Sequence, residues 1–86
     1  MKKGEKIMKK LLIKIDLLSD IKNFQSIVIT KAKNPIILRR DSVVCDAKSL
    51  LGIFAIDTSM PFWVEYSENE DWEVVDFIQR FQVEED

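Results

Sequence analysis

The sequence predicts a small α+β domain, with four short strands and three helices in the order β-α-β-β-α-β-α. Three observations predict it. Eighty-six residues allow one domain and no more. Hydrophobic residues make up 47% and charged residues 33%, with only two glycines and two prolines, the composition of a folded chain. The apolar spacing switches between period two and helical period along the chain. Four amphipathic strands cannot bury both faces and three amphipathic helices need a partner. A four-stranded antiparallel sheet with the helices on one face is the simplest arrangement that satisfies both.

Each element has its own justification. Leu11, Ile13, Ile15 and Leu17 alternate with Lys10, Leu12, Lys14 and Asp16, which predicts a half-buried first strand. Ser19 or Asp20 is a suitable cap for a helix running from about Asp20 to Lys31. Ile21, Phe24 and Val28 form its stripe, broadened by Ile27 and Ala32, although the β-branched run Ile27–Thr30 lowers helix propensity. Asn34–Pro35 breaks the chain. Ile36–Arg39 and Val43–Cys45 then read as a hairpin turning at Arg40–Asp41–Ser42.

Asp46 is placed to cap a short helix from Ala47 to Ile56. Ala47, Leu50, Leu51 and Phe54 stand at i, i+3, i+4 and i+7, with Gly52 inside the stripe. Pro61 prevents resumption of that helix. Phe62, Val64 and Tyr66 alternate with Trp63 and Glu65 as the fourth strand. Asn69 is a candidate cap for the last helix, whose first turn would hold Glu70, Asp71 and Glu73. Val74, Phe77, Ile78 and Phe81 are its stripe. Met1 to Met8 reads as a flexible basic tail and residues 9–86 as the single domain.

Composition excludes several function classes. The absence of histidine removes imidazole catalysis, histidine metal sites and phosphohistidine. One cysteine cannot form an internal disulfide, and it agrees with a cytoplasmic setting. The longest apolar run, Leu50–Ile56, is far short of the about 20 residues of a membrane span. Residues 1–40 hold eleven Lys and Arg against three acids, and residues 41–86 hold two against twelve. Nucleic-acid binding is disfavoured all the same, because no aromatic residue interleaves the early lysines. Glu68, Glu70 and Asp71 read as a solvated acidic turn. Cys45 reads as a buried small hydrophobe, and Trp63 and Trp72 as packing residues. Trp63 lies on the strand face opposite Phe62 and Val64, where it could line a binding surface.

The segment Ser42-Val43-Val44-Cys45-Asp46-Ala47-Lys48-Ser49-Leu50-Leu51-Gly52-Ile53-Phe54-Ala55 resembles the histidine-containing phosphocarrier family, HPr, in which a hairpin strand runs into Lys-Ser-(Leu/Ile)-(Met/Leu)-Gly. The resemblance implies an open-faced β-sandwich, βαββαβα, with three helices on one side of the sheet. A ferredoxin-like sheet with an added C-terminal helix shares the element order. The family's carrier loop, Gly-(Ile/Leu)-His-Ala-Arg-Pro-Ala, corresponds here to Leu17-Leu18-Ser19-Asp20-Ile21-Lys22-Asn23. It has no histidine to take a phosphoryl group and no arginine to hold one. Aspartyl phosphate on Asp20 lacks a neighbouring magnesium site.

The expected function is therefore non-catalytic. The resemblance implies a divergent HPr-like domain that acts through contact with an unidentified protein partner, without enzyme activity, cofactor or metal. Lys48, Leu50, Leu51 and Phe54 match the family's partner-binding surface. Ser49 matches the serine that a dedicated kinase phosphorylates in some bacterial members, at a helix start where a phosphate meets exposed N–H groups. The alternative is a phosphocarrier or serine-phosphorylated component of the sugar phosphotransferase system. An ordinary hydrogen-bonded serine and a core-facing Leu/Phe stripe are the plain structural readings of the same residues.

Overall fold

The computed structural model describes residues 7–49 and 58–85. Among them the order is β1 (Met8–Ile13), α1 (Leu18–Lys31), β2 (Ile37–Arg40), β3 (Val43–Asp46), β4 (Phe62–Ser67) and α2 (Trp72–Gln79). The four strands form one sheet in the order β1-β4-β2-β3, with every neighbouring pair antiparallel. The expected helix from Ala47 to Ile56 lies outside the described residues from Leu50 onward, as does the tail before Ile7. The described part is an α+β arrangement with two helices.

Period two divides the sheet into two faces. Leu11, Val64, Leu38 and Cys45 stand in one row across all four strands. With Ile13, Phe62 and Tyr66 they face the helices, which contribute Phe24 and Val28 from α1 and Val74 and Ile78 from α2. Each large side chain buried in this way contributes about 1.5–3 kcal/mol from apolar area alone. The helices also pack on each other. The Phe24 and Phe77 rings stack at 6.3 Å, and Phe77 meets Phe81 at 5.2 Å. Past α2 the chain turns back along β1. Lys14 N–H donates to the Phe81 carbonyl, and Val83 N–H donates to the Leu12 carbonyl.

Several expectations need correction. The first strand stops at Ile13 rather than running to Leu17. Ile15 is still buried, but Leu17 is 61% exposed and becomes the N-cap of α1, its carbonyl accepting from Asp20 and Ile21. Neither Ser19 nor Asp20 caps the helix. Leu17 offers no side-chain bond, and Asp20 sits inside the first turn, where the dipole favours it. The second strand is shifted by one, to Ile37–Arg40, because Arg40 pairs with Val43 around the Asp41–Ser42 turn. Asp41 takes a φ of 52°, a left-handed conformation that aspartate tolerates better than most residues. The cap of α2 is Asp71, not Asn69, and its carboxylate accepts from Glu73 N–H at 2.9 Å. Trp72 is 73% exposed and packs nothing into the core. Cys45 is half-buried, not buried.

The acidic turn is also not wholly solvated. Glu70 is buried, and its carboxylate accepts from three main-chain N–H groups. Lys33 donates at 2.7 Å, Asn34 at 3.0 Å and Asp71 at 2.7 Å. One side chain thereby ties the exit of α1 to the start of α2, with charge-assisted bonds in place of solvent.

Candidate functional site

The face of the sheet away from the helices is where polar chemistry and partly exposed apolar area coincide. Register places Leu12, Trp63, Arg39 and Val44 in one row across the strands, and Lys10, Glu65, Ile37 and Asp46 in the next. Val44 is 51% exposed, while Leu12, Trp63 and Ile37 are half-buried. Lys10 Nζ stands 4.7 Å from the centroid of the Trp63 ring, a cation–π contact. Arg39 grips Glu65 with two prongs, Nε to Oε2 at 2.7 Å and Nη2 to Oε1 at 3.3 Å. That hydrogen bond is the largest influence and holds the Glu65 carboxyl below its ordinary range; burial opposes it, and the charges of Arg39 and Lys10 add smaller pulls in the same direction as the bond. Between β1 and the C-terminal stretch lies a groove of about 750 Å³, lined in part by Lys10, Leu12, Trp63, Val83, Glu84 and Glu85.

The residues singled out from the sequence sit elsewhere. Lys48 and Ser49 are exposed just past β3, at the opposite edge of the sheet from β1. Lys48 N–H donates to Asp46 Oδ1 at 2.8 Å, and Ser49 N–H donates to the Asp46 carbonyl at 3.0 Å, so Asp46 organises a tight turn here. Leu50, Leu51 and Phe54 lie outside the described residues. The stretch Leu17 to Asn23, set beside the carrier loop in the sequence comparison, is the N-cap and start of α1, with Leu17 and Leu18 both exposed. Of the open face, sequence reasoning found Trp63. It missed Lys10, Leu12, Arg39 and Val44, whose signal was the same alternation read on the unburied parity.

Burial, followed by the charge of Asp46, raises the Cys45 thiol above its ordinary range, the reverse of nucleophile activation. Among the described residues no group of three or more His, Cys, Asp or Glu side chains could hold a metal ion. No helix among them is long and apolar enough to cross a membrane. On the open face Lys10 and Arg39 are matched by Glu65 and Asp46, so it presents no excess of either sign. No family model, curated protein or solved structure matches the chain.

Proposed function

We propose that the chain is a non-catalytic, HPr-like protein-binding module that works in the cytoplasm in a regulatory role, without histidine phosphotransfer. One observation carries the reading. One face of the sheet keeps an aromatic and aliphatic row, Leu12, Trp63 and Val44, partly exposed between balanced charges. Such amphipathic patches on small domains mark contact with other proteins. The complete lack of histidine supports the absence of phosphocarrier chemistry, and the single cysteine suits a reducing compartment. A surface including Lys48, Leu50, Leu51 and Phe54 belongs to the same proposal, on the strength of the sequence resemblance.

A photoreactive amino acid at position 63 tests the reading in cells, with position 72 as the exposed control outside the open face. A discrete protein adduct at 63 and none at 72 is the expected result. Equal labelling at both positions would remove the open face from consideration. Incubation with phosphoenolpyruvate and the upstream phosphotransferase should leave no acid-labile phosphate on the chain, and its appearance would return the protein to the carriers.

One observation favours a second, regulatory reading. Ser49 is exposed and follows a turn, which gives a kinase access. A phosphate on Ser49 after treatment with ATP and the family's serine kinase supports it, and its absence under conditions that modify a family member removes it.

A further inference from the structure

We propose that the outer edge of β1, from Met8 to Leu12, is a strand-addition site for an extended segment of a partner protein that sets a carboxylate opposite Lys10. The proposal rests on the protein-binding reading and gives it a site and a mode of contact. The argument begins with backbone parity. Glu68 N–H donates to the Ile7 carbonyl at 3.0 Å, which fixes the antiparallel pattern. Ile7, Lys9, Leu11 and Ile13 therefore turn their main-chain groups toward β4, and Met8, Lys10 and Leu12 turn theirs outward. The bonds Lys14 N–H to Phe81 and Val83 N–H to Leu12 obey the same parity on the outer side. Among the described residues that pairing stops past Val83. Among the described residues nothing bonds the outward N–H and C=O of Met8 or Lys10 or the N–H of Leu12 across this edge. Unpaired groups on a sheet edge are a template for a further strand.

Side-chain chemistry selects the occupant. Ile7 and Met8 are each 49% exposed, and the groove between Trp63 and the C-terminal stretch runs beside this edge. A second copy pairing antiparallel about the centre of the free edge, Met8 to Leu12, would place Lys10 against Lys10, and like charges directly opposite oppose pairing. An edge lysine is a device against such self-association. A heterologous strand with a carboxylate opposite Lys10 and an apolar residue two positions on, opposite Met8, turns the same lysine into a selector. The existing bridge between Ile13 and Gln82 shows that this edge takes an antiparallel strand.

The test uses the full chain, labelled with ¹⁵N, and an acetylated, amidated synthetic peptide Val-Thr-Glu-Thr-Val-Thr. The expected result is slowed amide exchange at Met8, Lys10 and Leu12 on titration, and loss of binding when the glutamate amide of the peptide is N-methylated. Lys10→Pro removes an outward N–H without touching the β1–β4 ladder, and should weaken binding about tenfold or more, as loss of one or two main-chain bonds implies. Lys10→Glu should weaken it comparably and be rescued by a peptide with lysine at the central position, which covers the case in which proline perturbs the strand. Equal binding of the N-methylated peptide would overturn the proposal. So would slow exchange of the Lys10 and Leu12 amides in the unliganded chain, which would mean that its own C-terminal residues or a second copy already occupy the edge. If position 63 still captures a partner while no edge variant changes peptide binding, the module reading stands and the edge site falls.

Discussion

The two faces of the sheet are made by the same strands and have almost nothing else in common. On the covered side Ile13, Leu38, Phe62 and Val64 are shut away from water, and burial raises the Tyr66 phenol above its ordinary range. On the open side Lys10, Trp63, Arg39 and Glu65 engage one another within reach of solvent, and Glu65 is pushed the other way by its guanidinium partner. Alternation therefore turns one set of side chains into the core and leaves the next within reach of solvent, within a single strand. Cys45 shows the transition. It shares the parity of Leu38 but sits on an edge strand, so it is only half-buried.

The sharpest way to break the contrast is to damage the covered side. Phe24→Ala should cost about 3–5 kcal/mol by urea unfolding, because it leaves a cavity between α1 and the sheet. A cost below about 1 kcal/mol would mean that the site collapses or was never packed. Glu70→Gln comes next. One amide oxygen cannot serve three N–H donors, and the substituted NH₂ would face one of them, so a loss of about 2–3 kcal/mol is expected by the same measurement. Trp63→Ala on the open side should cost about 1 kcal/mol or less, since it forfeits a half-exposed contact and a cation–π pair. It should nonetheless reduce partner capture by a photoreactive group placed at position 44 on the same row. A fold as damaged by Trp63→Ala as by Phe24→Ala would erase the distinction between the faces.

The smallest effect is that of pH on the open face. The carboxyl of Glu65 titrates lower in the folded chain than in the unfolded one. Its contribution is therefore complete above the unfolded value, about 4.3, and is lost as the pH falls through the lower folded value. Comparison of urea midpoints for the wild-type chain and Glu65→Gln should show a small advantage for glutamate at pH 6 that vanishes toward pH 2. An advantage that persists at pH 2 would mean that the ion pair with Arg39 is not its source.

Much of the fold was legible because periodicity reports burial directly. The stripes through Phe24 and Val28, and through Val74 and Ile78, are buried as their spacing requires. Phe62, Val64 and Tyr66 face the core as alternation predicts. Element ends were less legible because tertiary bonds set them. Ile15 and Leu17 continue the alternation of β1, but the partner strand runs out: the ladder ends at Ile13 opposite Phe62, the first residue of β4, which follows Pro61. Glu70 was misread for the same reason. Its three donors include Lys33 and Asn34, far away in sequence, and no local pattern announces them. The open face was half-legible. Trp63 stood out by its chemistry, whereas Lys10 and Arg39 looked like ordinary surface charges until the β1-β4-β2 register brought them beside it.

The strand order has a bearing on how the chain acquires its shape during synthesis. β1 is held by β4 on one side and by the Phe81–Val83 stretch on the other. Although β1 is the first of the four strands to leave the ribosome, it finds no sheet neighbour until β4, far along the sequence, has been translated. The β2–β3 hairpin can close early because its loop is short, whereas β1 must wait through the long loop closures that slow non-local pairing. A nascent or prematurely ended chain therefore shows Leu11, Leu12 and Ile13 to its surroundings, the kind of apolar segment on which chaperones and quality-control proteases act.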